Sequence, residues 1–455
     1  MVPLMSSSQK SRPAQSPYSA RTQQKAAPRP SAKSPASAPT PQIPAPQTPA
    51  PQPPTHPGIT ISRRAADRLL AGHVWVYRSE VEAISPSEHP AGLAPVYDRR
   101  GTVFGTALFN PDSEITLRLI SAAEITDEAA FLALLQQRLR HAIGRRKAQL
   151  AAEHSACRLV FSEADALPGI IADKYGDLII LQLASKVLDT AAVRAAIVSV
   201  LVEELSPATI LERPSPRIRE LEQLSVPPSA VLYAQGDPLT HSTFALNGLL
   251  FRFDAEAGQK TGAFLDQREN YAAAARHAHG QALDICTYQG GFALHLAQVC
   301  PRVTGIDISR AALEVAELNL AANYSALGAS EVDWIEANAF DLLRDWSDAG
   351  IAYDTIVLDP PAFAKSKRAL DGALRGYKEF NLRALKMLRP GGVLVTHSCS
   401  HQVSLADFTE VVRAAAADAR RRVRLLERRG AASDHPVILN IPETEYLKCL
   451  ILEVD

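Results

Sequence analysis

The chain has 455 residues, 46% of them hydrophobic and 21% charged, a balance typical of a globular protein with two or three domains. Lys and Arg (48) nearly equal Asp and Glu (49), so the overall charge excludes a protein that attracts nucleic acid through its whole field. No apolar run reaches the roughly 18 to 20 residues of a membrane helix, and no secretory signal opens the chain.

Residues 1–57 form a proline-rich, basic tail. They hold 15 of the 32 prolines and six basic side chains with no acidic one, which leaves a net charge of −7 on residues 58–455. The segment PTPQIPAPQTPAPQPP cannot bury enough apolar surface to offset the entropy of ordering it, which predicts disorder with polyproline character. We interpret the tail as a solubilising extension, with a role in holding RNA as the alternative.

Residues 58–122 are predicted to form a small β-rich unit. The stretches HVWVYRSEV, GTVFGTALFN and ITLRLIS are short strands bounded by Gly, Pro and Asn-Pro turns.

Residues 123–240 are predicted to form a central α/β unit. A helix begins at Thr126, where apolar residues start to recur at helical spacing. A hairpin with its turn at Lys174–Asp177 follows, then a helix over residues 186–205 and a proline-punctuated connector over residues 207–238.

One face of the first helix in this unit is basic. We interpret that face as solvated, and the alternative is a grip for phosphates. Its residues are Arg138, Arg140, Arg145, Arg146 and Lys147.

Residues 241–455 alternate strands with helices from about residue 280, which predicts a doubly wound α/β sheet. A helix near 404–419 and an antiparallel pair of strands near 422–429 and 446–453 should end the chain. Strands are expected at 281–286, 302–307, 331–336, 353–358 and 392–398, and helices at 291–299, 309–324, 339–347 and 371–388.

The carboxyl ends of these strands should carry the ligand site. The first strand ends in LDICTYQGGF, which lacks the GxGxxG spacing of a dinucleotide site. The second ends in Asp307, a carboxylate able to accept both ribose hydroxyls, with a helix-capping role beside Ser309 as the alternative. Asp359 follows the fourth strand, and two prolines stiffen the loop after it. Together with the terminal antiparallel pair, these features predict a class I methyltransferase that uses S-adenosylmethionine (AdoMet).

Six motifs occur in order along residues 58–455. They are GQKTGAFLDQREN (258–270), TYQGGFALHLA (287–297), LDPPAFAKSK (358–367), RGYKEFN (375–381), HSCS (397–400) and DHPV…YLK (434–448). With these motifs the chain resembles the bacterial ribosomal RNA large-subunit methyltransferase I family, a group of cytosine-5 methyltransferases. The resemblance implies an N-terminal PUA-like RNA-binding β-barrel (58–122), a central α/β hairpin-containing domain (123–240) and a class I Rossmann-like methyltransferase domain (241–455).

The resemblance also implies the AdoMet site. Where the family commonly has an aspartate facing the adenine amine, this chain has Asn338, whose amide oxygen can accept the same hydrogen bond. The family's hairpin motif Asp-Gly-Leu-Pro-Gly reads DALPG here, with Ala166 in the glycine position. The expected AdoMet-binding residues are Lys260, Thr261, Asp266, Gln267, Arg268, Asp284, Tyr288, Gly290, Gly291, Asp307, Asn338, Ala339 and Asp359.

Cys399 is the candidate nucleophile. Cytosine C5 is a poor nucleophile, and addition of a thiolate to C6 loads electron density onto C5, which can then attack the AdoMet methyl group. Asp359 would supply the hydrogen-bond donor or proton that cytosine N3 needs in this step. The alternative for Cys399 is a small buried hydrophobe, the commonest fate of free cysteine. His397 shares its face of the strand and could lower the pKa of the thiol, whereas His401 starts the following loop.

The other four cysteines, Cys157, Cys286, Cys300 and Cys449, are interpreted as buried hydrophobes. No pair of cysteines has the CxxC spacing, which excludes the usual zinc motifs and argues against a disulfide framework. We therefore expect no metal site and a cytoplasmic location.

The loop DPPAF bears on the base that is methylated. It lacks the second cysteine of a Pro-Pro-Cys loop, so a single cysteine must both attack and leave. It also argues against methylation of an adenine amino group, because Phe363 stands one position too late. Relatives that methylate guanine N7 lack the cysteine of the SCS motif.

The resemblance implies 23S ribosomal RNA as the partner, free or in an assembly intermediate, and no membrane. It leaves the oligomeric state open, with a homodimer as one alternative. Other functions stay open: methylation of another RNA base, such as guanine N7, or of a small molecule, with a structural Cys399; a non-catalytic RNA-binding factor in ribosome assembly; and, last, an NAD oxidoreductase.

Overall fold

A computed structural model describes residues 57–150, 155–255, 263–364 and 367–455. All of the proline-rich tail except Pro57 lies outside these residues, as do Lys260 and Thr261, so what the sequence predicts for them stays a prediction. Within the described ranges, no helix has the length and apolar character needed to cross a membrane.

The first sheet has six strands. They are β1 (Gly58–Ile61), β2 (Trp75–Val76), β3 (Val81–Ser85), β4 (Gly92–Asp98), β5 (Val103–Phe109) and β6 (Leu117–Ser121). The order is β2-β6-β5-β4-β1-β3, with only the β1–β4 pair parallel. The strand pattern does not predict α1 (Arg63–Leu70), which begins where the Ser62 hydroxyl accepts a hydrogen bond from the Ala65 amide at 3.3 Å.

The second sheet has five strands in the order β11-β10-β9-β8-β7. Its strands are β7 (Ala156–Phe161), β8 (Ile170–Tyr175), β9 (Leu178–Leu183), β10 (Thr209–Glu212) and β11 (Ala230–Ala234), and its helices are α2 (Glu128–Lys147), α3 (Ala191–Leu205) and α4 (Pro216–Leu221). The hairpin of β8 and β9 turns where the sequence predicts it.

The prediction of a connector over residues 207–238 is wrong. That range contains β10, α4 and β11, and β10 pairs in parallel with β9. All four residues of β10 are buried, so the strand shows no alternation by which a sequence pattern could detect it. Pro216 occupies the first turn of α4, a position where proline starts a helix although it breaks one elsewhere.

The basic face of α2 is paired with carboxylates and backbone, so it is neither simply solvated nor a free grip for phosphates. Arg140 bonds Glu203 on α3 at 2.6 Å, and Arg138 donates to the Ala166 carbonyl at 2.6 Å. The remaining pairs are Arg145 with Asp165, Arg146 with Asp165, and Lys147 with Glu204.

A hairpin, β12 (His241–Leu246) and β13 (Leu249–Asp254), precedes a seven-stranded sheet. The strands of that sheet are β14 (Gln281–Ile285), β15 (Arg302–Asp307), β16 (Glu331–Glu336), β17 (Tyr353–Leu358), β18 (Leu388–Ser398), β19 (Val423–Arg429) and β20 (Lys448–Val454). The order is β16-β15-β14-β17-β18-β20-β19. β20 is antiparallel to both of its neighbours, as predicted for the end of the chain, and it lies between β18 and β19.

Helices cover both faces of this sheet; the first of them is not among the predicted helices, and the bounds of the other five lie within a few residues of the prediction. They are α5 (Arg268–His277), α6 (Gly291–Leu296), α7 (Arg310–Leu327), α8 (Ala339–Asp348), α9 (Leu370–Met387) and α10 (Leu405–Asp418). One buried cluster packs α5 and α6 against the sheet, and a second packs α8, α9 and α10 against it.

The segment between β19 and β20 contacts α2 and the loop after α1, which belong to the two units with the smaller sheets. The Asp434 carbonyl accepts from Arg146 at 2.9 Å, Asn440 donates to the Ala71 carbonyl at 2.5 Å, and Glu443 lies 3.1 Å from His73. The start of β20 is therefore held by the rest of the molecule as well as by its own sheet.

Candidate active site

A cavity of about 480 Å³ lies at the carboxyl ends of the strands in the seven-stranded sheet. The loops after β14, β15, β16 and β17 line it together with residues from the end of β18 and the start of β20. Parallel strands bring their carboxyl ends to one edge, which is why distant segments of the sequence meet here.

The loop after β14 makes a tight, strained turn into α6. Cys286 and Tyr288 have φ angles of 66° and 51°, in the left-handed region that costs an ordinary residue roughly 1 kcal/mol or more. Gly290 has φ of 84°, and a Cβ there would lie 2.8 Å from the ring of Trp334. The turn thus needs glycine at this point and brings the backbone close to the cavity.

Asp284 supports that loop from below and does not line the cavity. Its Oδ2 accepts from the Thr287 hydroxyl at 2.5 Å and from the Ala293 amide at 2.9 Å. No group of the described residues bonds its Oδ1. Complete burial raises the pKa of Asp284 to about 7.

Asp307 lines the cavity at the end of β15. Its two oxygens accept from the amides of Tyr288 and Ser309, each at 2.9 Å. Ser309 caps α7 with its own hydroxyl, which accepts from the Ala312 amide at 3.3 Å. Asp307 is therefore not needed as the helix cap, and each oxygen keeps a lone pair for a ligand hydroxyl.

Asp359 and Gln267 are joined across the cavity. Gln267 Nε2 donates to Asp359 Oδ2 at 2.9 Å, and its Oε1 accepts from Asn270 at 2.7 Å, which fixes the orientation of the amide. Asp266 also lines the cavity and accepts from the Tyr446 hydroxyl at 2.5 Å.

The remaining predicted AdoMet-binding residues differ in how they contribute to the cavity. Tyr288, Gly291 and Ala339 line it. Asn338 also lines it, but its amide oxygen caps α8 by accepting from the Phe340 amide at 2.9 Å, so adenine would share that oxygen with the helix.

Arg268 lies away from the cavity. Its guanidinium is buried, donates to Gln149 at 3.2 Å and lies 3.8 Å from Asp434, so it joins the methyltransferase sheet to the central unit.

Cys399 follows directly after β18, and its half-buried thiol lines the cavity. The sulfur lies 3.9 Å from the Pro360 carbonyl, beside the loop that carries Asp359. The next residue, Ser400, is wholly buried and bonds the Tyr377 hydroxyl at 2.9 Å and the Ala364 amide at 3.2 Å. These bonds hold the short segment in which the thiol stands.

His397 does not supply a positive charge to the thiol. Its ring is wholly buried and packs against Phe292, with ring centroids 5.0 Å apart. Nδ1 lies 3.0 Å from the Leu358 carbonyl, so it carries the proton of a neutral imidazole. Burial lowers the pKa of His397, which keeps the ring neutral at pH 7.

Three of the other cysteines are buried as the sequence suggests. Burial raises the pKa of Cys157 to about 12 and that of Cys300 to about 11, and it raises the pKa of Cys449 as well. Cys286 differs, because it is half-buried and lines the cavity, although burial raises its pKa too. Among the residues that the structure describes, no group of three or more His, Cys, Asp and Glu side chains is placed to hold a metal ion.

Two family models match the sequence: a PUA-like domain over residues 59–122 and an S-adenosylmethionine-dependent methyltransferase over residues 185–443. The chain is 35% identical over 383 residues to the ribosomal RNA large subunit methyltransferase I of Erwinia tasmaniensis, covering 84% of this chain and 95% of that protein. It is 36% identical over 387 residues to the enzyme of the same name from Shewanella frigidimarina, with the same coverage of each chain. This chain belongs to the ribosomal RNA large subunit methyltransferase I family.

Two solved structures share the fold. A protein described as a methyltransferase and solved with SAH has a TM-score of 0.73, and a Streptococcus mutans protein described as an S-adenosylmethionine-dependent methyltransferase has a TM-score of 0.72. Each is 18% identical and covers 88% of this chain and 100% of the other, a likeness that bears on the fold alone. The predicted fold class is confirmed: an α/β protein with a class I Rossmann-like methyltransferase domain and an N-terminal PUA-like domain.

AdoMet is the cofactor of this methyltransferase family, and the cavity suits it. The described residues that line the cavity include the carboxylates Asp266, Asp307 and Asp359 and no Lys or Arg side chain. That set favours a sulfonium and ribose hydroxyls over a phosphate group.

Sequence reasoning assigned no role to Lys448. Its ammonium donates to the carbonyls of Ser400 and Tyr446 at 2.7 and 2.8 Å, on either side of the Cys399 segment. The one signal in the sequence was its place at the end of the motif DHPV…YLK.

Proposed function

We propose that this protein transfers a methyl group from AdoMet to C5 of a cytosine in 23S ribosomal RNA through a covalent bond between Cys399 and C6. The observation that carries the proposal is that the Cys399 thiol and the Asp359 carboxyl line one cavity with Asp307 and Gln267. The names of the relatives support large-subunit ribosomal RNA as the substrate.

The cofactor would be held mainly by the first two strand ends. Asp307 would accept the ribose hydroxyls, and the backbone of the strained turn at Tyr288 and Gly291 would lie against the amino acid part of AdoMet. Asn338 and Ala339 would flank the adenine. When bound, AdoMet supplies a methyl group that is bonded to a positively charged sulfur. An electron-rich carbon can bond to the carbon of that methyl group.

Cys399 would supply the electrons for that addition. Its thiolate forms a bond to C6, and the electron pair of the C5–C6 double bond moves to C5 as N3 takes a proton or hydrogen bond from the acid form of Asp359. C5 would then use this pair to bond the methyl carbon, as the bond between that carbon and the AdoMet sulfur breaks and S-adenosylhomocysteine is left. A base or water would take the C5 proton, the C5–H pair would form the C5–C6 double bond, the thiolate would leave, and a proton taken by N3 would return to Asp359.

The substrate base must leave its stack to reach Cys399. Extrusion of a paired base costs a few kcal/mol, so a loop or an incompletely folded RNA is favoured as substrate. We propose that the PUA-like unit, with its boundary near residue 122, and the central unit, with its boundary near residue 240, present the RNA to the cavity. The cytoplasmic location and the choice between free 23S rRNA and an assembly intermediate stay predictions.

The test compares wild type with Cys399→Ala. Each protein is incubated with AdoMet and unmodified 23S rRNA, and the RNA is digested to nucleosides that are identified by mass. We expect 5-methylcytidine with wild type and a loss of at least 1,000-fold in the variant, about the scale of removing a covalent nucleophile. Cys300→Ala is the matched control, because this buried thiol lies outside the cavity lining and should leave the product level near wild type.

Three outcomes separate the alternatives. 5-Methylcytidine from Cys399→Ala would refute the thiol mechanism. A different methylated base from wild type, such as 7-methylguanosine, would refute the cytosine assignment. AdoMet binding with no methylation of any ribosomal RNA would favour a non-catalytic assembly factor.

A further inference from the structure

Lys448 is a buried cation beside the candidate nucleophile. The residue is 4% exposed, and its Nζ makes hydrogen bonds of 2.7 and 2.8 Å to the carbonyls of Ser400 and Tyr446. It forms no ion pair with any carboxylate of the described chain. It costs free energy to bury an ammonium without an ion pair, and an anion nearby would lower that cost.

The register of the sheet places Lys448 next to the backbone segment that carries Cys399. Lys448 is the antiparallel partner of Ser398, the residue before Cys399, and its ammonium bonds the carbonyl of Ser400, the residue after it. On the cavity side of the same two segments lie Cys399 and Leu447. The thiol and the ammonium therefore flank the same short stretch of backbone.

The cavity itself disfavours a thiolate. Three acidic residues and no basic side chain of the described residues line it, and each acidic group that is ionised raises the pKa of a nearby thiol. His397 is neutral, as shown above. A cation outside the cavity lining could offset the repulsion between a thiolate and these acidic groups. Lys448 on β20 is such a cation.

The Lys448 side chain is mostly protonated at pH 7. Burial lowers the pKa of Lys448 to about 8, while a negative charge on Cys399 and the charge of Glu445 raise it. Below pH 8 the side chain therefore carries its proton for most of the time.

We propose that Lys448 is a positioning residue that holds the segment 398–400 and supplies the positive charge against which Cys399 ionises. This rests on the proposed function, because it concerns the nucleophile of that reaction. The thiolate and the ammonium would form a pair only when the reaction needs an ionised sulfur, and the cation would remain behind the sulfur when it adds to C6.

Other titratable groups near Lys448 and Cys399 also affect the ionisation of the thiol. Some of them are acidic and oppose a thiolate; of the two histidines, His397 lies on β18 and His401 lies in the loop after it. They are Asp359 after β17, Tyr377 on α9, His397 and His401 on either side of Cys399, and Glu445 and Tyr446 before β20.

The test measures the ionisation of Cys399 directly. Wild type, Lys448→Met and Lys448→Arg are alkylated with iodoacetamide at pH 6 to 10, and the rate is read for the Cys399 peptide by mass spectrometry. In Lys448→Met we expect the midpoint of the rate profile to rise by about one pH unit. The thiolate fraction at pH 7 then falls about tenfold, and the higher nucleophilicity of the more basic thiolate recovers part of it, so the net rate falls about three- to fourfold.

Lys448→Arg should keep a midpoint nearer to wild type, because it keeps the charge. A residue that only anchors the loop would give a lower melting temperature in Lys448→Met with an unchanged midpoint, and that result would overturn the proposal. If Lys448→Met does not fold, the wild-type profile tests the proposal. A midpoint of the Cys399 alkylation rate at or above about pH 8.5, the ordinary pKa of a thiol, would refute the role of Lys448.

Failure of the Lys448 proposal can be told apart from failure of the proposed function. If Cys399→Ala still makes 5-methylcytidine, the nucleophile is wrong whatever the alkylation profile shows. If Cys399→Ala is inactive and the Lys448→Met midpoint does not move, the nucleophile stands and only the role of Lys448 falls.

Discussion

The two ends of the cavity are built in different ways. At the cofactor end, Asp284, Asp307 and the turn between Cys286 and Gly290 come from two adjacent strands that are close in the sequence, and the charged groups are acidic. At the Cys399 end, the segment after β18 is held by Tyr377 on α9 and by Lys448 on β20, and the charged group behind it is basic.

The difference matches the two chemical tasks. Carboxylate oxygens can bind a sulfonium and two ribose hydroxyls, so a local acidic motif would suffice for the cofactor. An ionised sulfur needs a positive charge and a fixed direction, and here these come from elements that are distant in the sequence. Substitutions at the cofactor end should therefore change AdoMet affinity, and those at the Cys399 end should change the chemistry.

Asp307→Asn should give the largest effect on cofactor binding. Loss of a charged acceptor for the ribose hydroxyls removes about 1.5 to 3 kcal/mol, which corresponds to about 10- to 150-fold weaker AdoMet binding. Calorimetric titration checks this, with Asp333→Asn as the control because Asp333 is exposed on neighbouring β16. An unchanged Kd in folded Asp307→Asn would mean that the ribose lies elsewhere.

Asp284 should make stability depend on pH. Its folded-state pKa of about 7 lies above the ordinary value of about 3.9, so between these limits the folded protein holds a proton that the unfolded chain has released. The stabilisation is present below pH 4 and is lost as the pH rises towards 7, with a slope of at most about 1.4 kcal/mol per pH unit from this group.

Asp284→Asn should remove that slope. Denaturant unfolding of both proteins at pH 5 and pH 7 gives the comparison, and the free energy of unfolding should change less with pH in the variant. Equal changes in the two proteins would show that Asp284 is ionised over the whole range.

The smallest effect is expected far from both ends. Arg140 and Lys147 on α2 are paired with Glu203 and Glu204, so the double variant Arg140→Gln/Lys147→Gln should change the affinity for 23S rRNA less than twofold. A filter-binding assay at several salt concentrations checks this. A clear fall in affinity, with a shallower dependence on salt, would mean that the two side chains leave their partners to bind phosphates.

Much of the cofactor end follows from the sequence. Asp307 and Asp359 stand at strand ends, and the parallel order of strands brings such residues to one edge. The direction of a side chain does not follow from the sequence in the same way. Arg268 belongs to the motif GQKTGAFLDQREN, yet its guanidinium meets Gln149 and Asp434.

The Cys399 end is less predictable because it depends on long-range register. Nothing near Lys448 in the sequence shows that β20 enters between β18 and β19 with Lys448 opposite Ser398. His397, two residues from the thiol, was the nearer candidate for its activation, but complete burial and the Leu358 carbonyl hold it neutral.

The central claim is that Cys399 bonds to a cytosine carbon, and a trapped adduct tests it most directly. In RNA transcribed with 5-fluorocytidine, the C5 position carries fluorine, which a base cannot remove as a proton, so the thiol cannot leave after methyl transfer. Wild type with AdoMet and this 23S rRNA should give a protein–RNA band that survives denaturing electrophoresis, and digestion should place the bonded nucleotide on the Cys399 peptide. The absence of such a band, while unmodified 23S rRNA is still methylated at cytosine C5 under the same conditions, would contradict the covalent mechanism.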